Sequence, residues 1–142
     1  MPTPTPTPTS QDQLTLHISE DAWRGNAKFT IQVDGRTVGG SQMAFASHGA
    51  GQSQAYVVQG NFGAGPHQVG VTFLNDAYGG TPATDRNLYL DGVDFDGKTF
   101  LNKSAGIFSN GTKAVTVDAS AAGLGTQHPF NSPQPSIVIP LH

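Results

Sequence analysis

The sequence predicts an all-β protein, an antiparallel β-sandwich of the jelly-roll type with about seven to nine strands. Three observations support this fold class. Apolar and polar residues alternate in several short runs, as they do in half-buried strands. No segment longer than two helical turns places its apolar residues at helical spacing. Pairs of turn-forming residues separate the runs.

The alternation predicts the strands in chain order. It is clearest in four runs, at residues 14–18, 29–33, 69–73 and 115–117, and shorter apolar runs occur at residues 43–45, 56–58, 88–90 and 93–95. Asp34-Gly35 separates two of these strands, and this dipeptide favours a tight hairpin turn. Asp91-Gly92 and Asp96-Gly97 are further candidates for the same kind of turn.

The prolines divide the chain into a domain and two flanks. Of the 10 prolines, Pro66 and Pro82 alone lie between Pro8 and Pro129. Each proline fixes φ and lacks an N–H, so the N-terminal Pro-Thr repeat predicts an extended linker over residues 1–12. We expect the β-sandwich at residues 13–120, and a tail or the start of a next linker at residues 121–142. A linker implies an attached domain. The Pro-Thr linker and the Lys-poor surface together favour a secreted protein.

Composition and motifs exclude several classes of function. The chain has 7 basic and 10 acidic residues and a net charge of -3, which predicts no binding to nucleic acid or anionic membranes. It has no Cys, no apolar run long enough to span a membrane, and no GxSxG, HExxH or GxxxxGK[ST] motif. We therefore expect a monomeric accessory binding module rather than an enzyme.

The segment between two predicted strands, ending near Leu74 and beginning near Asn87, carries the strongest functional signal. An acidic residue lies near each end of this loop, Asp76 and Asp85. Two carboxylates and a carbonyl such as that of Thr84 would supply the oxygen ligands that Ca²⁺ prefers. The alternative is that Asp76 caps a turn and Asp85 pairs with Arg86 or another neighbour. The pattern leaves both interpretations open.

A second acidic pair, Glu20 and Asp21, lies at the end of the first predicted strand, two residues before the single Trp, Trp23. Adjacent carboxylates repel each other unless a cation or a base lies between them. A second calcium ion, a shared one, or simple solvation would each relieve this repulsion.

Three segments together resemble a calcium-dependent, xylan-binding carbohydrate-binding module of family 60, which is related to family 36. The first is Ile18-Ser19-Glu20-Asp21-Ala22-Trp23 with the strand that follows it, and the second is residues 60–67. The third and most specific is residues 73–80 continued through residues 84–89. The resemblance extends over roughly Leu14 to Asp118.

This resemblance implies a β-sandwich whose bound Ca²⁺ directly coordinates vicinal hydroxyls of a sugar. Asp76 and Asp85 would be side-chain ligands and Thr84 a carbonyl ligand, while Glu20 and Asp21 would build a second, structural calcium site.

The implied ligand is xylan first, and then cellulosic or galactan oligosaccharides that present a matching pair of hydroxyls. Tyr78 or Trp23 would cover the apolar face of the sugar, although Trp23 is equally compatible with an anchoring role. The implied partner is a covalently linked catalytic domain of a polysaccharide-degrading enzyme.

Two other functions fit the sequence. In the first, calcium only stiffens a structural or adhesive sandwich of a surface protein. In the second, Asp76 and Asp85 are the paired carboxylates of a small glycoside hydrolase, which such enzymes hold about 5–9.5 Å apart.

Overall fold

Two β-sheets form the protein in a computed structural model that describes residues 11–125 and 130–141. The larger sheet contains β1 (Asp12–Asp21), β4 (Gln54–Gly60), β6 (Ala77–Tyr78), β7 (Asp85–Phe95), β8 (Lys98–Leu101), β9 (Ala105–Ile107) and β11 (Ile137–Pro140). The smaller sheet contains β2 (Lys28–Val33), β3 (Arg36–Met43), β5 (His67–Phe73) and β10 (Gly111–Val117). A single 3-10 turn, Pro82–Thr84, precedes β7.

The predicted sandwich is confirmed. The larger sheet has the strand order β11-β4-β1-β7-β6, with β8 and β9 also paired to β7, and the smaller sheet has the order β10-β5-β2-β3. The described residues contain 11 strands rather than seven to nine. Strands of two to four residues, such as β6 and β9, are too short for alternation to reveal them. In the described part of the chain, no helix is long and apolar enough to cross a membrane.

The core lies between the inner faces of the two sheets. In β1 every second side chain points inward, and Leu14, Leu16 and Ile18 are completely buried. Phe29 of the smaller sheet meets Tyr56 of the larger one edge to face, with ring centroids 5.1 Å apart. The Tyr56 hydroxyl donates a hydrogen bond to the Met43 carbonyl, which satisfies its polar end inside the core.

Two of the three predicted Asp-Gly turns are present. Asp34-Gly35 joins β2 to β3 with φ angles of 51° and 83°, and Asp96-Gly97 joins β7 to β8 with φ angles of 49° and 80°. The prediction for Asp91-Gly92 is wrong, because these residues lie inside β7. There the register against β1 shifts and leaves Asp91 as the extra residue of a β-bulge.

The C-terminal segment differs from the expected tail. Residues 137–140 form β11, which pairs in parallel with β4, and Ile139 is 3% exposed in the core. The expected boundary at residue 120 therefore omits a strand of the sandwich. The run Ile137-Val138-Ile139 is short, ends at Pro140 and does not show the alternation from which strands were predicted. Residues 1–10 of the expected linker lie outside the described residues, and β1 begins at Asp12.

A contact between the buried His67 and the exposed Asp34 predicts that stability depends on pH. His67 Nδ1 lies 2.7 Å from Asp34 Oδ2, and His67 Nε2 lies 2.8 Å from the Gly63 carbonyl. Burial works to lower the pKa of His67, but the Gly63 carbonyl and the Asp34 carboxylate outweigh it and raise that pKa above its usual value. The hydrogen bond from His67 in turn lowers the pKa of Asp34.

Because the folded-state pKa of His67 is raised, its contribution to stability is complete below its unfolded-state pKa of about 6.5. The contribution is lost as the pH rises through the folded-state value. We expect the difference in melting temperature between the wild type and His67→Gln to shrink as the pH is raised from about 5.5 to about 9. A difference that stays constant over this range would contradict the assignment.

Candidate functional site

The loop that joins β5 to β7 is a short, structured hairpin. Tyr78 of β6 pairs with Asp85 at the start of β7, and Ala77 pairs with Arg86. The 3-10 turn occupies the second half of the connection between these two strands. The prediction placed an irregular loop over these residues and the start of the next strand near Asn87. In the structure β7 begins two residues earlier, and its first residue is Asp85.

This hairpin brings the two predicted carboxylates to one groove. Tyr78 and Asp85 are direct cross-strand neighbours, so their side chains share a face. Asp76 directly precedes β6 and lines the same groove as these two residues. These three side chains, with Pro82 and Phe108, line an open groove of about 460 Å³.

Asp76 holds a carboxylate oxygen without a partner. Its Oδ1 atom is buried and makes no hydrogen bond to any part of the chain that the structure describes. Its backbone N–H donates to Asn110 Oδ1 at 2.7 Å. A buried acceptor left unpaired is unfavourable, which makes this oxygen a natural ligand for a cation. The Oδ1 atom of Asp76 therefore does not cap a turn, which was the alternative role for this side chain.

Arg86 does not neutralise Asp85. Its guanidinium instead donates hydrogen bonds to backbone carbonyls of the two segments beneath the hairpin, those of Trp23 at 3.1 Å, Arg24 at 2.6 Å and Asn75 at 2.6 Å. No ion pair to Asp85 occurs among residues 11–125 and 130–141. The alternative that Asp85 pairs with Arg86 is therefore not found, and the groove keeps both carboxylates available.

The Thr84 carbonyl closes the hairpin. It accepts a hydrogen bond from the Gly79 N–H at 2.5 Å, while the Thr84 N–H donates to the Thr81 carbonyl at 3.0 Å. A carbonyl oxygen has two lone pairs, so one remains for a cation.

Trp23 supports the hairpin from outside the groove. A Cβ atom added at Gly79 would lie only 2.7 Å from Trp23 Cζ2, so the indole ring packs directly against this glycine. The Arg24 guanidinium lies over the ring, 4.8 Å from its centroid. This placement favours the anchoring role of Trp23. Tyr78, in contrast, is 64% exposed and lines the groove.

The Glu20 and Asp21 carboxylates have separate hydrogen-bond partners. Successive side chains of a strand point to opposite faces, and these two occupy successive positions in β1. Glu20 Oε1 accepts a hydrogen bond from the Ala27 N–H at 2.6 Å, and burial raises the Glu20 pKa to about 7. Asp21 Oδ2 accepts from the Tyr89 hydroxyl at 2.6 Å and from Asn87 Nδ2 at 3.1 Å. The geometry does not favour one calcium ion shared by both carboxylates.

The described residues contain no cluster of three or more His, Cys, Asp or Glu side chains that could hold a metal ion. A calcium site at the groove would therefore combine the two Asp carboxylates with carbonyl oxygens and with oxygens of water or ligand.

Two residues at the site were not predicted from the sequence: Phe108, which lines the groove, and Asn110, which accepts the hydrogen bond from the Asp76 N–H. Phe108 and Asn110 lie on the connection between β9 and β10, more than twenty residues after Asp85. The Phe108 side chain is 61% exposed, and its ring covers Gly106, where an added Cβ would lie 2.1 Å from Phe108 Cζ. It also meets Tyr89 edge to face at 5.9 Å. The one sequence signal was an aromatic residue in a turn-rich segment, Gly106-Ile107-Phe108-Ser109-Asn110-Gly111.

Comparison with known families identifies the class of protein. The sequence model of CBM60, described as a Ca-dependent carbohydrate-binding module, xylan-binding, matches residues 13–110. The chain belongs to this family of non-catalytic carbohydrate-binding modules, as its loop motif predicts. The hydrolase alternative is therefore set aside.

Two solved structures share the fold. One is "vCBM60 in complex with galactobiose", with a TM-score of 0.53 and 18% identity, covering 74% of this chain and 99% of that chain. The other is a selenomethionine form of vCBM60, described in the context of two circularly permuted families of calcium-dependent carbohydrate-binding modules. Its TM-score is 0.50 at 17% identity, covering 74% of this chain and 88% of that chain. No curated protein sequence matches the chain.

Proposed function

We propose that this module binds xylan and related β-glycans through a Ca²⁺ ion held in the Asp76–Asp85 groove, where vicinal hydroxyls of the sugar complete the coordination of the ion. One observation carries the proposal. A buried, unpartnered oxygen of Asp76 lies at the same groove as the Asp85 carboxylate.

The residues present fit a calcium ion. The Asp76 and Asp85 carboxylates and the Thr84 carbonyl are hard oxygen donors, and Arg86 is held by backbone carbonyls rather than by either carboxylate. Ca²⁺ takes about six to eight oxygen ligands, so three residues leave positions for exchangeable water and for sugar hydroxyls. When bound, the ion would coordinate an adjacent pair of hydroxyls and so select for the geometry of that pair.

The rest of the groove suits a sugar. Tyr78 and Phe108 are exposed aromatic side chains in its lining and can cover the apolar face of a pyranose ring. The description of the family supports xylan as the first ligand to test, and galactobiose, the ligand of the structural neighbour, supports galactan as the second. Recognition through one pair of hydroxyls predicts several acceptable polysaccharides and modest affinity.

Affinity electrophoresis tests this function. We expect gels that contain xylan to retard the protein in the presence of calcium, and EDTA to abolish the retardation. Parallel gels with galactan and a soluble cellulose derivative measure the breadth of binding. Retardation that persists unchanged in EDTA would rule out the calcium mechanism while leaving carbohydrate binding itself in place.

Phe108→Ala separates the contact with the sugar from the binding of the ion. Loss of the ring should weaken sugar binding about tenfold, since an aromatic contact is worth about 0.5–1.5 kcal/mol beyond its buried area. Calcium affinity measured without sugar should stay the same, because Phe108 supplies no ligand to the ion. Phe45→Ala is a matched control, because Phe45 is 42% exposed and does not line the groove. Equal sugar affinity in both variants would exclude Phe108 from the binding surface.

We further propose that the module directs a secreted polysaccharide-degrading enzyme to its substrate. The composition of residues 1–12 supports this role, since Pro-Thr repeats act as semi-rigid spacers between domains. Tethering raises the effective concentration of an attached enzyme at an insoluble polymer. Fusing the module to a xylanase should increase the release of sugar from insoluble xylan but not from soluble xylo-oligosaccharides. An equal effect on both would contradict this role.

A further inference from the structure

A second cleft lies on the outer face of the larger sheet, away from the Asp76–Asp85 groove. It has a volume of about 660 Å³. Its floor is formed by β1, β4, β7 and β8, and residues 130–136 form one wall. Asp85 and Asp94 mark the two sites on β7, nine residues apart along the strand, which corresponds to about 30 Å. The two sites are therefore separate.

The floor of this cleft is polar because of the alternation in β1. Gln13, Thr15 and His17 point outward, while the residues between them enter the core. The register places Thr15 opposite Asp94 of β7, and Asp94 opposite Thr99 of β8. This row of side chains crosses three neighbouring strands, a width of about 10 Å between the outer strands.

The wall is fixed to the sheet. The Ser53 N–H donates to the Asn131 carbonyl at 3.0 Å, and Gln54 Nε2 donates to the Pro135 carbonyl at 2.8 Å. The Phe130 ring stacks on His17 with centroids 3.9 Å apart and an interplanar angle of 18°. These contacts give the cleft a preformed shape, which lowers the entropic cost of binding a ligand.

The lining chemistry defines the class of ligand. His17 Nε2 lies 3.0 Å from Asp94 Oδ2, and the Thr99 hydroxyl donates to Asp94 Oδ1 at 2.7 Å. Among the described residues that line the cleft there is no Lys or Arg, which argues against a phosphate or a nucleic acid. Within the described residues, the Thr15 hydroxyl and the Gln13 side-chain amide have no hydrogen-bond partner, so both are available to a ligand. Hydroxyls, amides and one aromatic ring together suit a neutral, hydroxyl-rich chain.

We infer that this cleft is a second glycan-binding site that works without calcium and accepts a short stretch of a neutral polysaccharide. With two sites near opposite ends of β7, one module would contact two segments of polysaccharide at once. This inference does not depend on the calcium site, and it goes beyond the proposed function because it assigns a further binding surface to the same chain.

An NMR titration in EDTA tests the inference in a protein without the first site. The ¹⁵N-labelled Asp76→Ala variant is titrated with xylohexaose, cellohexaose and galactobiose, and wild-type protein in EDTA serves as a second sample should the variant not fold. We expect at least one of these sugars to cause saturable shifts of the Thr15, His17, Asp94 and Phe130 amides. The Tyr78 and Asp85 amides should remain unmoved. Absence of saturable shifts at the cleft with all three sugars would overturn the inference.

Two substitutions assign the binding to the cleft. Thr15→Val removes one hydroxyl with almost no change of shape and should weaken calcium-independent binding about fivefold. Phe130→Ala should weaken it about tenfold. Thr37→Val is the control, since Thr37 is an exposed threonine of β3 whose hydroxyl has no hydrogen-bond partner among the described residues, and it does not line the cleft. Equal effects of Thr15→Val and Thr37→Val, with none from Phe130→Ala, would contradict the assignment.

A version that lacks residues 1–10 tests whether the chain fills its own cleft. If this deletion shifts the cleft amides without sugar, and sugar produces no further shift, the occupant is the N-terminal segment and the inference is wrong. Unchanged cleft amides in the shortened protein, with the same response to sugar, support a glycan site. Because calcium is absent throughout, failure of the calcium mechanism would not alter either result.

Discussion

Asp76→Asn is expected to abolish calcium-dependent binding of xylan while leaving the β-sandwich folded. The substitution removes one of the two negative charges at the groove and keeps the shape of the side chain. Calcium affinity depends strongly on the number of charged ligands, so we expect it to fall by about 100-fold or more. Isothermal calorimetry with calcium, followed by electrophoresis in xylan gels, measures both losses.

The folding of this variant separates a binding role from a structural one. In EDTA the unpartnered Oδ1 atom of Asp76 contributes no hydrogen bond, so Asp76→Asn should melt at the wild-type temperature or slightly above it. Asp118→Asn is a control, because the Asp118 carboxylate accepts hydrogen bonds from Ser120 and lies outside the groove. Global unfolding of Asp76→Asn, or undiminished calcium binding, would contradict the assignment.

Arg86→Met is expected to destabilise the protein by about 2–4 kcal/mol and to weaken calcium binding as well. The Arg86 guanidinium donates hydrogen bonds to the carbonyls of Trp23, Arg24 and Asn75. A methionine side chain cannot donate, so these three hydrogen bonds are lost. Asn75 precedes Asp76 and Arg86 follows Asp85, so loss of these bonds should loosen both carboxylates. Urea unfolding measures the stability, and calorimetry measures the calcium affinity.

Two further variants test whether the geometry of the guanidinium matters. Lysine carries the charge without the planar fork of donors, so Arg86→Lys should restore only part of the lost stability. Arg36→Met, at an exposed position of β3, is the control for removing an arginine and should change stability little. Wild-type stability and calcium affinity in Arg86→Met would show that Arg86 does not organise the site.

The sequence was sufficient for the fold class because burial follows strand alternation directly. Leu14, Leu16 and Ile18 are predicted to face the core and do so. The strands that escaped prediction are those that tertiary pairing defines. β11 has little alternation of its own and exists as a strand because it pairs with β4. The Asp91-Gly92 pair resembles a turn, but pairing of the long β7 with β1 converts it to a bulge.

The candidate site was predictable only where its residues are close in the chain. Asp76 and Asp85 flank one loop, so their proximity could be expected from the sequence. Pairing of β9 with β7 brings Phe108 to the groove and Asn110 to the backbone of Asp76, which no local pattern reveals. Glu20 and Asp21 show the reverse case, because neighbours in a strand point to opposite faces. Their adjacency in the sequence therefore does not by itself predict that both carboxylates face one ion.

The most direct test of the central claim is a calorimetric titration of the protein with calcium, with and without xylohexaose. If the sugar binds to the ion in the groove, the two affinities are linked, and each ligand must strengthen the other by the same factor. We predict that calcium binds more tightly when xylohexaose is present, and that Asp76→Asn removes this effect. Calcium that binds equally tightly with and without sugar would contradict the account and would leave calcium as a structural ion of the sandwich.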